Sequence, residues 1–192
     1  LGIRQSMFNP SAFAAIIFML FANIGYGIFD VIYNEFYIKE LGWNGEEIGH
    51  MRPYGMWLGG LIGLSAGLMT LYFRKRSHHL FIVIGQAVVF LTASTLSYET
   101  SILLTSAVLI GVDAVDAGWS VLIFSILMAL CITQTSATNF GIFMGFGNIS
   151  MLIGNNIAPA ILGSGDFTFA FIFAALTLIP CLISGYYLTR ET

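Results

Sequence analysis

Six apolar runs, each long enough to cross a bilayer as a helix, dictate what this 192-residue chain can become. A bilayer core takes about 20 consecutive apolar residues in helical form. The runs fall at roughly 11–36, 47–73, 79–97, 102–131, 136–162 and 167–189. Most charged residues lie between them. Only 9% of the chain is charged and 57% is apolar, where a soluble domain carries about 25% charged residues. A water-soluble fold of this length has no interior large enough for that much apolar surface, so the core is shared with lipid. The expected fold is an all-α integral membrane bundle of six helices, one domain over residues 1–192.

The ends of the runs carry ordinary helix chemistry. Asn9-Pro10 reads as an N-cap followed by a first-turn proline. Asn44-Gly45-Glu46-Glu47 places a capping amide and two acids at the positive end of the second helix. Gly163-Ser164-Gly165-Asp166 is a tight turn that hands over to Asp166 as the last N-cap. Pro159 and Pro180 lie inside the fifth and sixth runs, where a proline kinks a helix. Gly59, Gly63 and Gly67 recur on one face of the second helix, as do Gly141 and Gly145 on the fifth. Such stripes let backbones approach closely, for packing or at a surface where helices slide.

An even number of crossings puts both termini on one side. Arg4, Arg74, Lys75, Arg76 and Arg190 fall there, against Lys39 and Arg52 opposite. The positive-inside rule makes the richer side cytoplasmic, and the expected location is the plasma (inner) membrane. The chain opens Leu1-Gly2-Ile3-Arg4, without Met or a signal pattern, and reads as a piece of a longer chain. A net charge of −3 without a dense basic face gives no reason to expect nucleic acid as a partner. Cys131 and Cys181 sit in different apolar runs and read as small buried residues.

Acids inside apolar runs are the functional clues, because a charge at mid-bilayer costs at least about 2.5–3.5 kcal/mol. Asp113 and Asp116 are spaced to lie near one face of the fourth helix. Two acids close together in a low dielectric do not both ionise comfortably, which suits a proton or cation relay. The alternative is a late helix start near Ala114, or a break, with both acids wet. Gly111, Gly118 and Trp119 suit a loosened helix beside a cavity. Asp30 and Asn34 share a face of the first helix and are further candidates for proton coupling or substrate contact. Glu35 belongs at the outer interface. Asn139, Asn148 and Asn155 on the fifth helix are cavity-lining candidates, or else interhelical hydrogen-bonders, since an amide in lipid is costly unless paired. Arg52 reads as an interfacial cation whose stem snorkels, or as an anion contact from the outer side. His78-His79 lacks a third ligand nearby, so no metal site is expected. No nucleophile elbow, HExxH helix, phosphate loop or cysteine-pair site occurs, and neither an enzyme nor a cofactor is expected.

The short basic loop after the second run resembles the major facilitator superfamily signature of Gly, three residues, then Asp-Arg-x-Gly-Arg-Arg. Here the stretch is Gly67-Leu68-Met69-Thr70-Leu71-Tyr72-Phe73-Arg74-Lys75-Arg76. Gly67 and the terminal basic pair match; Leu71, Tyr72 and Arg74 replace Asp, Arg and the inner Gly. Leu41-Gly42-Trp43-Asn44-Gly45-Glu46-Glu47-Ile48-Gly49 is similar to the segment joining the seventh and eighth helices of AmpG-like muropeptide permeases. Ala137-Thr138-Asn139-Phe140-Gly141 resembles the start of their eleventh helix. These permeases group with acetyl-CoA transporters.

The resemblance implies the C-terminal half of a twelve-helix transporter. It also implies proton-driven movement of a small amphiphilic or anionic solute by alternating access. The partners it implies are membrane lipid, a small-molecule substrate, and an N-terminal six-helix half or a second copy. The departures in the loop leave a rival, a transporter-like sensor or scaffold that does not transport.

Overall fold

The computed structural model describes residues 9–72, 75–131 and 136–191. Among them every regular element is a helix: α1 (Pro10–Ala22), α2 (Ile24–Lys39), α3 (Gly45–Tyr72), α4 (Lys75–Ala93), α5 (Ile102–Leu130), α6 (Ser136–Ser164), α7 (Phe167–Leu176) and α8 (Leu178–Glu191). α1 with α2, and α7 with α8, are each one rod interrupted by a single residue, so six rods occupy the six apolar runs. Arg74 of the basic loop, like Arg4 near the start, lies outside the described residues.

The helix ends follow the local chemistry. Asn9 accepts from the Ala12 N–H at 2.7 Å, just ahead of Pro10. Asn44 and Glu47 cap each other reciprocally: each backbone N–H donates to the other's side chain at 2.8 Å. Asp166 accepts from the Phe169 N–H at 2.8 Å, after a turn through Gly165 at φ +71°.

The two breaks have different causes. Pro180 has no N–H to give and its ring crowds the carbonyl one turn back. The sixth rod accordingly breaks at Thr177, whose hydroxyl donates to Ala174 O at 2.7 Å. No proline lies near the other break. At Asn23 the backbone N–H donates instead to Ser150 Oγ at 2.9 Å, and the side-chain amide reaches Gly147 O at 3.3 Å. The carbonyl of Ala22 turns to the Trp119 indole N–H, 3.0 Å away. Groups from two other rods thus take over the bonds that a continuous helix would have made. α6, by contrast, runs through Pro159 as one helix. α5 is also continuous, with neither a break nor a late start near Ala114.

Three segments are long and apolar enough to cross a membrane: Pro10–Lys39, Ile102–Leu130 and Phe167–Thr189. The chain is therefore a membrane-embedded protein. α4 offers a shorter apolar stretch, His79–Ala93. α6 is as long as α5 and α3 is one residue shorter, but Glu46, Glu47, His50 and Arg52 in α3, and asparagines and glycines in α6, dilute their hydropathy.

Packing joins the rods in an orderly way. α3 packs chiefly on α5, and α4 packs on α5 and on the α7–α8 rod. The α1–α2 rod packs on α6 and on the α7–α8 rod. Exchanging the first three rods with the last three maps this set of packed pairs onto itself. α3 and α6 are the two end members, each leaning mainly on one neighbour. The common core gathers Phe29, Phe36, Phe90 and Phe171 around rods one, three and six, with Phe36 and Phe171 edge to face at 4.8 Å between centroids.

Candidate functional site

Asp30 lies in α2, Arg52 in the second turn of α3, and Asp113 and Asp116 near the middle of α5. At 1.5 Å per residue, the last two lie about 17 and 21 Å along α5, near the middle of a helix long enough to span a bilayer. The fold brings these four residues from three rods to one place.

Arg52 is the hub. Its Nε and Nη2 donate to the two carboxylate oxygens of Asp113 at 3.1 and 2.8 Å, a bidentate fork. Nη1 stands 3.5 Å from Asp30 Oδ1. The guanidinium lies over the Tyr33 ring, 4.5 Å from its centroid. The Arg52 side chain is 20% exposed, Asp113 7% and Asp30 39%. A bidentate Arg–carboxylate pair in low dielectric is among the stronger polar contacts available to a protein. The expectation that Arg52 snorkels at the interface is overturned. The guanidinium turns inward because a carboxylate 61 positions away needs it.

α3 can approach this closely because glycines stand where its backbone meets α5. A Cβ at Gly55 would sit 2.9 Å from Asp113 Cβ and 3.1 Å from Ile110 O, and one at Gly59 would sit 3.0 Å from Ala117 Cβ. The working stripe is Gly55, Gly59 and Gly63, one turn earlier than the sequence suggested. Gly67 has open space where a Cβ would be.

Asp116 lies within electrostatic reach of Asp113 and Asp30, and Tyr26 lies within reach of all three acids. It makes no hydrogen bond or ion pair with another described residue. Fully ionised, three carboxylates and one guanidinium leave two surplus negative charges, an arrangement that accepts a proton or a cation. Among the described residues, no three His, Cys, Asp or Glu side chains converge closely enough to hold a metal ion.

The other candidates separate. Asn34 is exposed, one turn beyond Asp30. Asn139 is buried near the start of α6, and Asn148 is exposed on that helix's outer face. The Asn155 amide faces the backbone carbonyls of Gly27 on α2 and of Met151 on its own helix, and with its nitrogen turned toward them it donates to Gly27 O at 3.0 Å. Lys75 and Arg76 open α4. Trp119 does not mark a loosened helix; it is buried against Phe18 and satisfies the break at Ala22. Glu35 pairs with Lys39 near the end of α2.

Protein-family models, curated proteins and solved structures were all compared with this chain, and none matches it.

Proposed function

We propose that this chain is one six-helix half of a twelve-helix membrane transporter of major facilitator type, and that the Arg52–Asp113–Asp30 cluster with Asp116 couples proton movement to transport of a small solute. The observation that carries this reading is the exposure of charge at membrane depth. Asp30 keeps 39% of its side chain open on a segment apolar enough to cross a bilayer. An ionisable group there faces a partner or a water-filled path rather than lipid tails.

Two further observations support a half-transporter. The packing maps onto itself when the two sets of three rods are exchanged, the pattern expected of nested three-helix repeats. The two end rods also present open glycines. Gly49 and Gly60 on α3, and Gly141, Gly145 and Gly163 on α6, have nothing within 4 Å of a would-be Cβ. With the exposed Asn148, such a face suits another helix better than lipid. The missing partner is a second six-helix half, or a second copy of this chain.

The charge balance refines the cargo. A cluster with surplus negative charge takes a proton, while an amphiphilic or anionic solute is held elsewhere along the path. Basic residues at Arg4, Arg74, Lys75, Arg76 and Arg190 favour cytoplasmic termini in a plasma membrane. The substitutions in the basic loop favour a second reading, a transporter-like sensor or scaffold that moves nothing.

The test uses the full-length protein in vesicles holding a pH-sensitive dye, challenged with a muropeptide fragment, an acyl-CoA or simple organic anions. Asp116→Asn is expected to abolish proton movement coupled to solute, while the variant inserts normally and still exchanges solute across the membrane. Full proton-driven uptake in both Asp116→Asn and Asp113→Asn would overturn the coupling role. The absence of uptake of any solute, with intact insertion, would favour the scaffold.

A further inference from the structure

We infer that the breaks at Asn23 and Thr177 are two parts of one mid-membrane hinge, about which α2 and α7 tilt together against α1 and α8. The breaks stand side by side. A Cβ at Gly25 would sit 2.8 Å from Ala174 O and 3.3 Å from Thr177 Oγ1, so the first turn of α2 lies against the last turn of α7. Packing divides at the same level: of these four segments, α2 packs on α7 and α1 on α8. Phe36 meets Phe167 and Phe171 at 5.4 and 4.8 Å between centroids, which joins α2 to α7. Cys181 Sγ donates to Phe18 O at 3.5 Å, which joins α8 to α1.

A helix bends most easily where its own ladder of hydrogen bonds is interrupted, and residues at the ends of elements are where domains pivot. Both interruptions are built to persist. Pro180 has no N–H to give back to rod six, and Ser150, Gly147 and Trp119 hold the Asn23 turn out of the ladder. α6 grips the pivot, since Gly154 is seated on the Ile24 carbonyl and on Gly27 Cα. The far end of α2 is held to α5 by the Tyr37 hydroxyl, which donates to Thr105 O at 2.8 Å. One neutral hydrogen bond is a modest restraint, so it serves as a latch. The fold also keeps an acceptor in reserve near the pivot. Gln86 on α4 is 2% exposed, and its Oε1 accepts no hydrogen bond from another described residue. It lies between Phe90, whose ring faces Gly25, and His79, which faces Gly185, and so close to the break at Thr177. A buried acceptor is normally paired, and a tilt of α7 uncovers N–H groups at the break for it to take. The hinge does not depend on the transport reading, because what it predicts is motion, not uptake.

The experiment is double electron–electron resonance on the full-length protein in nanodiscs, with Cys131→Ala and the fully buried Cys181 left in place. Spin labels go on exposed positions. Ile38→Cys on α2 and Phe169→Cys on α7 are each paired with Leu103→Cys on α5, and Ile183→Cys on α8 is paired with Met128→Cys on α5. The α2 and α7 pairs are both expected to show a second, longer distance, and the α8 pair a single one. Tyr37→Phe releases the latch and is expected to raise the ratio of the longer to the shorter distance about fivefold in both pairs. Pro180→Ala returns the missing N–H to rod six and is expected to leave one distance in both pairs, α2 included although the change is on another rod. One unvarying distance in the α2 and α7 pairs, in Tyr37→Phe as in the parent, would overturn the proposal even if Pro180→Ala fails to fold. So would a second distance in one of these pairs without the other, an α8 pair that shifts with them, or a second distance that persists in a folded Pro180→Ala.

Discussion

Arg52→Met is expected to destabilise the protein by about 3–5 kcal/mol, the cost of stranding a buried carboxylate whose cation has been removed. Asp113 is only 7% exposed, and the charges left beside it would be Asp30 and Asp116, both of its own sign. Asp113→Asn removes the other partner and leaves Arg52 with Asp30 at 3.5 Å and the Tyr33 ring, so its cost is expected to be smaller. The double variant is expected to regain most of the loss, because replacing both members of a buried pair is often nearly neutral. Thermal unfolding in detergent checks all three. A double variant as unstable as the sum of the singles would mean that the bridge does not form.

The second large effect is expected at Gly154. A Cβ there would run into the carbonyl oxygen of Ile24 and stand 3.1 Å from Gly27 Cα. These are backbone atoms and cannot rotate aside. Gly154→Val is therefore expected to cost about 3 kcal/mol, the upper part of the usual overpacking range. Gly141→Ala, on the same helix, keeps the position small and has nothing within 4 Å, so it is expected to cost no more than about 0.5 kcal/mol. Unfolding midpoints of the two variants give the comparison. Equal losses would mean that α2 and α6 do not meet as described.

Much of the framework was legible because it is local. The caps at Asn9, Asn44 and Asp166 depend on residues within three positions, and Pro180 announces its own break. The break at Asn23 was not legible, since its causes are Ser150, Gly147 and Trp119 on other rods. The acids at 30, 113 and 116 stood out from the cost of burying them. Their cation did not: Arg52 sits near a helix start, where snorkelling is the ordinary fate, and only the approach of α5 turns it inward. The glycine stripe shows the same limit. Gly55, Gly59, Gly63 and Gly67 have equivalent spacing, and what selects the first three is the position of Asp113, Ala117 and Val121 on the facing helix. Asn155 read equally as a cavity residue or as a tie between helices, and its amide does face the backbone carbonyl of Gly27 on α2.

In the proposed transporter the charged face of α2, α3 and α5 meets water rather than lipid. The most direct measurement places a thiol there, as Asp30→Cys in a full-length protein with Cys131→Ala and Cys181→Ala, in sealed native membranes. A membrane-impermeant maleimide is expected to label it, because the reaction needs a hydrated thiolate and the side chain at position 30 is 39% exposed on the face proposed to meet water. Labelling by a lipid-soluble maleimide alone, with none by the impermeant reagent from either side, would contradict the account.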